Sequence, residues 1–117
     1  MAKLKSLMPS LKEKKRFVVF EIISNRPVEE FKEVYQAIWQ KSNEYLGRFE
    51  TARAGLWLLA DKWDQKKQKG ILKINNKYMD KIKAVFALTT EVGKEKAILR
   101  SVGASGILNK AEKKFMI

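Results

Sequence analysis

The sequence contains no cysteine and no histidine, and both absences narrow the chemistry that it can perform. Without cysteine there is no disulfide, no thiolate metal site and no cysteine nucleophile. Without histidine the commonest general base and the commonest metal ligand are missing. No glycine-rich phosphate loop of the P-loop or dinucleotide type occurs either. We therefore expect a protein that has no catalytic residues of its own and binds no metal or cofactor itself.

Long hydrophobic runs are also missing, since no stretch approaches the roughly 18 consecutive apolar residues of a membrane span. Residues 1–16 lack the apolar segment of a secretory signal, which predicts a cytoplasmic protein with no membrane partner. The chain has 117 residues, of which 45% are hydrophobic, and this suits one domain with an ordinary core. We predict a basic N-terminal arm over 1–15 and a single domain over 16–117.

Positive charge is what the sequence has in abundance. Lys and Arg number 25 against 13 for Asp and Glu, so the net charge is +12 and the pI is near 10.0. A small domain with this excess repels itself unless a polyanion neutralises it, and nucleic acid is the polyanion that we expect. An acidic membrane surface is a weaker candidate because no long amphipathic helix with a basic face is present. A protein that is merely soluble and rich in lysine is the alternative.

The charge is segregated along the chain. Residues 1–16 carry six basic and one acidic side chain, and residues 48–77 carry eight and three, so each segment has a net charge of +5. Residues 94–117 carry +4, whereas residues 27–47 carry −2. A footprint on a phosphate backbone requires such separation, and a uniformly solubilising surface does not.

Hydrophobic periodicity predicts the order of the secondary-structure elements. The β-branched and aromatic run RFVVFEII over 16–23 predicts a central strand buried on both faces. The order β-α-β-β-α-β with an added C-terminal helix predicts an α/β (α+β) sandwich of the ferredoxin-like or RNA-recognition-like type, with an antiparallel sheet. The other predicted strands extend over 54–60, 70–75 and 95–102. The predicted helices extend over 27–46, with a stop at Gly47, and from Asn75 or Asn76 to a stop at Gly93. A terminal helix follows, and its apolar stripe contains Ile107, Leu108, Ala111 and Phe115.

The basic N-terminal arm leads directly into the predicted central strand, so its cations are held at a fixed place on the scaffold. Such residues contact phosphates and position a protein on nucleic acid without reading sequence. The alternative is a strand entrance that is only solvated. The predicted RNA-binding residues are Lys12, Lys14, Lys15, Arg16, Arg48, Arg53, Lys66, Lys67 and Lys69.

The sheet itself is not expected to stack bases. RNA-recognition domains place aromatic residues on their two central strands, but the third predicted strand reads KGILKIN and has none. Phe17 therefore has no aromatic partner on that strand. The outer face would also expose apolar groups, which the terminal helix covers or a protein partner contacts. We predict that the helix covers part of this face and that a partner contacts Trp57, Leu59 and Ile71.

Carboxylates offer little support for catalysis. Glu29, Glu30 and Glu33 fall in the first turns of the first helix, where they compensate the helix dipole. Asp61 and Asp64 could hold Mg²⁺, but two acids in a lysine-rich loop are weak evidence for a metal site.

Four blocks of sequence resemble, in order and spacing, the archaeal ribonuclease P protein component 2 family. They read PSLKEKKRFVVFEI, ARAGLWLLADKWD, KGILKINNKYMDKIKAVFAL and SVGASGILNKA, and together they extend over nearly the whole chain. The chain departs from the family pattern at Met8, where a second proline is common.

The resemblance implies a protein subunit of ribonuclease P, the ribonucleoprotein that removes the 5′ leader of precursor tRNA. It implies that the RNA subunit carries catalysis and the Mg²⁺, and that this chain supports that RNA. Ribonuclease P protein component 3 is the implied partner, in a two-plus-two heterotetramer, beside other ribonuclease P proteins and, indirectly, precursor tRNA. The alternative function is a general basic RNA-binding module of the ribosomal or RNA-chaperone type. A small hydrolase on this fold is a third possibility and would need turnover without RNA.

Overall fold

The computed structural model describes residues 14–117, so Lys12 and nearly all of the predicted arm lie outside the described residues. The described chain follows the predicted order of strands and helices, with one additional short strand at Glu91–Val92. Its elements are β1 (Lys15–Ser24), α1 (Phe31–Ala54), β2 (Trp57–Leu58), β3 (Lys69–Asn75), α2 (Met79–Leu88), β4 (Glu91–Val92), β5 (Glu95–Ser105) and α3 (Leu108–Phe115), with 3-10 turns at Ala60–Lys62 and Asn76–Tyr78.

The five strands form one antiparallel sheet in the order β2-β3-β1-β5-β4. β1 lies at the centre and pairs with β3 on one side and β5 on the other, as its two apolar faces predict. The register of the β1–β3 pair runs from Lys15 opposite Asn75 to Glu21 opposite Lys69. The predicted α/β sandwich with an antiparallel sheet is therefore confirmed.

Two hydrophobic clusters lie on opposite faces of the sheet. The larger one fills the space between the sheet and helices α1 and α2, and Val18, Phe20, Ile38 and Ile82 are fully buried in it. The smaller one lies under α3 and contains Val19, Ile71 and Ala111, with partly buried apolar residues around them. Successive β1 side chains alternate between the two clusters, because neighbouring residues of a strand point to opposite faces.

Helix α3 packs directly on the sheet. A side chain at Gly103 of β5 would overlap the Phe115 ring, so the helix can approach this closely only because position 103 is glycine. One turn earlier in α3, Glu112 adds an electrostatic contact, an ion pair of 2.8 Å with Lys62. The prediction that the terminal helix covers part of this face is confirmed.

Some predicted boundaries were wrong. Gly47 interrupts α1 as predicted, since its φ of 84° and ψ of 163° are not helical, but a second helical segment that was not predicted continues to Ala54. The second strand has only two residues, Trp57 and Leu58, because the preceding segment is helical. Helix α2 ends at Leu88, and the short strand β4 between it and β5 was not predicted.

Candidate nucleic-acid interface

One end of the sheet gathers the start of β1, the end of β3 and the end of α1. Two neighbouring asparagines there hold two of the predicted RNA-binding cations. Arg16 Nε donates a hydrogen bond of 3.0 Å to Asn76 Oδ1, and Lys15 Nζ donates to Asn75 Oδ1. Asn75 is buried, and its Nδ2 in turn donates to the Arg53 carbonyl oxygen at 2.7 Å. A buried amide therefore ties the end of α1 to the start of β1.

The end of α1 lies close to the start of β1. Gly55 follows the helix in the left-handed conformation, with φ 65° and ψ 35°, and its N–H caps the Ala52 carbonyl. Glycine adopts this conformation without steric cost, which makes it the usual residue after a helix. A β-carbon at Gly55 would lie 3.2 Å from Lys15 Nζ, so the two segments are in close contact. The Arg53 guanidinium lies 5.6 Å from the centre of the Phe49 ring.

We call Lys14, Lys15, Arg16 and Arg53 the β1-end cluster. Lys14 and Lys15 are exposed, and so is Arg53. Phe49, which supports Arg53, is 71% exposed. Cations held by side-chain and backbone contacts beside an exposed aromatic ring are typical of a surface that binds nucleic acid.

The other predicted cations lie elsewhere. We call Lys66, Lys67 and Lys69 the loop lysines. Lys69 lies opposite Glu21, at the other end of β3 from Asn75, which is about 20 Å away at the usual rise of a strand. Since β3 is antiparallel to β1, the two cationic groups cannot form one continuous patch along the strand. The topology alone could have indicated this separation.

Two of the loop lysines already have backbone partners. Lys67 Nζ donates to the Met116 carbonyl oxygen at 2.9 Å. Lys69 Nζ donates to the Phe115 carbonyl at 3.2 Å and to the Ile117 carbonyl at 2.9 Å. The last carbonyls of a helix lack intrahelical donors, and lysine side chains commonly satisfy them. Lys67 and Lys69 therefore hold the end of α3.

Arg48 and Lys66 are exposed. Arg48 and Arg53 are five residues apart on α1, which places them on different sides of a helix that has 3.6 residues per turn. The structure therefore does not bring Arg48 into the β1-end cluster.

The predicted contact surface for a protein partner needs correction at Ile71. Ile71 is 0% exposed because α3 lies over it. Leu59 is partly buried against the same cluster. Trp57 differs, since it is 63% exposed on the edge strand β2. These three residues do not form one accessible apolar surface.

Asp64 in the β2–β3 loop has a structural partner. Asp64 Oδ1 accepts a hydrogen bond of 3.1 Å from the Lys67 backbone N–H, which stabilises the turn. The ion pair with Glu112 raises the pKa of Lys62 above its ordinary value, through the hydrogen bond first and the attraction of charges second. Within residues 14–117 no cluster of three or more acidic side chains is placed to hold a metal ion. In that same range no helix is both long and apolar enough to cross a bilayer.

Sequence reasoning did not connect Phe49, Trp57 or Lys73 with the cationic residues. Lys73 lies opposite both Phe17 and Trp57, two positions along β3 from Asn75. Phe49 falls in the part of α1 beyond Gly47 that was expected not to be helical. The helix-forming character of RFETARA was the signal that could have placed it.

These features define a basic, RNA-recognition-like α/β domain with one group of cations at the end of the sheet where β1 starts and a second group at the opposite end. A chain in the cryo-EM structure of yeast ribonuclease MRP shares the fold, with a TM-score of 0.58 at 10% sequence identity over 80% of this chain and 75% of that one. The protein belongs to the Rpp14/Pop5 family, whose model matches residues 16–116.

Relatives with close sequence similarity are archaeal. Ribonuclease P protein component 2 of Thermococcus gammatolerans is 36% identical over 96% of this chain and 91% of its own length. The protein of the same name from Pyrococcus abyssi is 36% identical over 97% and 94%. The one from Methanocaldococcus jannaschii is 33% identical over 97% and 81%. The resemblance to the archaeal component 2 family is therefore confirmed.

Proposed function

We propose that this protein is a subunit of ribonuclease P, which removes the 5′ leader of precursor tRNA, and that it works in the cytoplasm. The observation that carries the proposal is the nearly full-length similarity to proteins named ribonuclease P protein component 2. In this proposal the RNA subunit performs the cleavage and holds the Mg²⁺. The protein supplies no catalytic residue and binds no cofactor. Its role is to bind the catalytic RNA and support its active fold.

The β1-end cluster is the surface that we assign to the RNA. Asn75 and Asn76 hold Lys15 and Arg16 in place, so little side-chain freedom is lost when phosphates bind there. Each phosphate that a cation neutralises releases condensed counterions, which makes binding strong at low salt and weak at high salt. Lys12, Arg48 and Lys66 are secondary contacts in this scheme, whereas Lys67 and Lys69 would first have to leave α3.

A second protein subunit is part of the proposal. We assign it to ribonuclease P protein component 3, in a two-plus-two heterotetramer, among other ribonuclease P proteins and with precursor tRNA contacted only indirectly. What supports a protein contact is exposed apolar surface: Ile23 is 48% exposed, and its cross-strand neighbour Ile98 is 62% exposed. Neighbouring apolar residues on an open sheet face are typical of protein interfaces.

Cleavage of a precursor tRNA tests this function. The cognate RNA subunit is assayed at low Mg²⁺ alone, with this protein, with component 3, and with both. We expect stimulation that requires both proteins, and no cleavage without the RNA. The Lys15→Gln/Arg16→Gln variant should need more protein for half-maximal stimulation than the matched Lys32→Gln/Lys94→Gln variant, which removes exposed lysines elsewhere. Absence of stimulation, together with equal binding to unrelated RNAs, would instead favour the general RNA-binding module.

A further inference from the structure

Helix α3 crosses its face of the sheet obliquely. It begins just after β5, at the end of the sheet where β1 starts, and Lys69 at the opposite end of β3 binds the carbonyls at its C-terminus. Between these points it covers Val19 and Ile71. The helix packs on β5 and β1, and its Phe115 ring lies against Gly103 of β5, so it leaves uncovered the corner where β2 pairs with the end of β3.

Trp57 stands at this uncovered corner. In the register of the sheet, Trp57 lies opposite Lys73, and Lys73 lies opposite Phe17 on the next strand. Residues directly opposite each other in antiparallel strands share a face, with their β-carbons about 5 Å apart. The row therefore places a lysine between two aromatic residues. Phe17 is partly covered by the α3 cluster, whereas Trp57 is 63% exposed.

The charged residues around Trp57 indicate which kind of partner binds there. The row of Trp57 contains Lys73, and the next row on the same face, two residues along β3, pairs Asn75 with Lys15 of the β1-end cluster. Neither row contains an acidic residue. An apolar protein surface placed here would bury ammonium groups that have no anionic partner in these rows, which is costly. A nucleotide offers a ring that stacks on an indole and a phosphate that pairs with an ammonium group.

We propose that Trp57 stacks on the base of an unpaired RNA nucleotide, while Lys73 and Lys15 contact the phosphates beside it. The inference rests on the proposed function for the nature of the polyanion, and it deepens that function by naming single-stranded RNA. It also gives Trp57 a different role from the protein contact expected from the sequence. Base stacking had been discounted because β3 carries no aromatic residue; the required ring is on β2 instead.

Binding of a short labelled oligouridylate to the full chain at low salt, followed by fluorescence anisotropy, tests the site. Base–aromatic stacking is worth about 1–3 kcal/mol, so Trp57→Ala should weaken binding about 5-fold to 150-fold. Trp57→Leu should weaken it comparably, because leucine keeps apolar area but has no ring to stack, and Trp57→Phe should retain most of the affinity. The matched control is Tyr45→Ala, which removes a half-exposed aromatic ring from α1.

Salt dependence separates stacking from charge. Trp57→Ala should leave the slope of log K against log salt unchanged, whereas Lys73→Gln should flatten it by about 0.7, the value for one phosphate of a single strand. Thermal unfolding checks that each variant keeps the fold. Oligouridylate binding by Trp57→Ala equal to that of the unmodified protein would overturn the proposal. So would a Trp57→Ala variant that binds the RNA normally but no longer binds component 3.

The outcome is independent of the cleavage assay. If Trp57→Ala weakens oligouridylate binding but the unmodified protein does not stimulate cleavage of precursor tRNA, the proposed function is rejected and the nucleotide site stands. Normal stimulation by a Trp57→Ala variant whose oligouridylate binding is also normal would reject the site alone.

Discussion

The β1-end cluster and the loop lysines have similar compositions but different structural roles. In the sequence, residues 1–16, which hold all of the cluster except Arg53, and residues 48–77, which hold the loop lysines, carry the same net charge of +5. In the fold, Lys15 and Arg16 are held by asparagine side chains at an exposed end of the sheet, whereas Lys67 and Lys69 bind the backbone carbonyls that end α3. Charge density along a chain therefore does not identify a binding surface. The acceptors that the fold places beside each cation decide whether it is available.

The largest expected effect comes from detaching α3, the helix whose end Lys67 and Lys69 hold. Gly103→Val would force a side chain into the Phe115 ring, and we expect the free energy of unfolding to fall by about 3 kcal/mol. Urea unfolding followed by circular dichroism measures the loss. Adding Phe115→Ala should cost less in this background than in the unmodified protein, because the clash is gone. Equal costs in both backgrounds would mean that the helix does not pack on Gly103.

Measurements of RNA binding compare the β1-end cluster directly with the loop lysines. The triple variant Lys15→Gln/Arg16→Gln/Arg53→Gln should flatten the slope of log K against log salt by about 2–3, at about 0.7–0.9 for each phosphate. The matched variant Lys66→Gln/Lys67→Gln/Lys69→Gln should change the slope by no more than about 0.9, since only Lys66 lacks a role in holding α3 in this scheme. Filter binding to the cognate RNA at several salt concentrations gives both slopes. If both variants flattened the slope equally, the β1-end cluster and the loop lysines would not differ in RNA binding.

In contrast to RNA binding, the stability of the fold should depend on two of the loop lysines. Lys67→Gln and Lys69→Gln should each lower the free energy of unfolding by about 0.5–1.5 kcal/mol, since each removes hydrogen bonds to the carbonyls at the end of α3. Hydrogen exchange of the α3 amides should accelerate in parallel. Lys66→Gln is the control and should change neither quantity. If Lys66→Gln destabilised the protein as much, loss of loop charge rather than loss of these hydrogen bonds would be the cause.

The smallest expected effect concerns the ion pair between Lys62 and Glu112. Glu112 raises the pKa of Lys62 in the folded state above its ordinary 10.5. The pair therefore stabilises the protein fully below that ordinary value and loses its effect as the pH rises through the higher folded pKa. Unfolding between pH 9 and 12, a range chosen to bracket a lysine pKa of about 10.4, should show slightly steeper loss of stability for the unmodified protein than for Glu112→Gln. Identical profiles would show that the pair contributes nothing measurable.

The sequence predicted the fold well because its information is local and periodic. The run over 16–23 alternates apolar residues on two faces, and this placed β1 at the centre of the sheet. Gly47 was predicted correctly as a break in α1, but the next seven residues form a further helical segment, and the glycine gave no sign that the helix would resume. β4 has two residues and no periodic pattern, so it offered no signal.

The candidate site was predicted less completely because its contacts join residues far apart in the chain. Lys15 and Arg16 were named from their position before β1, but the asparagines that hold them follow 60 residues later. The burial of Ile71 depends on where α3 lies, and composition does not show that. Trp57 and Lys73 become neighbours only through the register of β2 and β3.

The position of β1 has a consequence for the entropy of binding. This strand pairs on both edges and supplies side chains to both hydrophobic clusters, so its amides should exchange with solvent only in the least frequent opening events. Lys15 and Arg16 are the first two residues of that strand and do not belong to a loop. Little backbone freedom is then left to lose when a ligand orders them, and the penalty that flexible basic tails incur on association is largely absent.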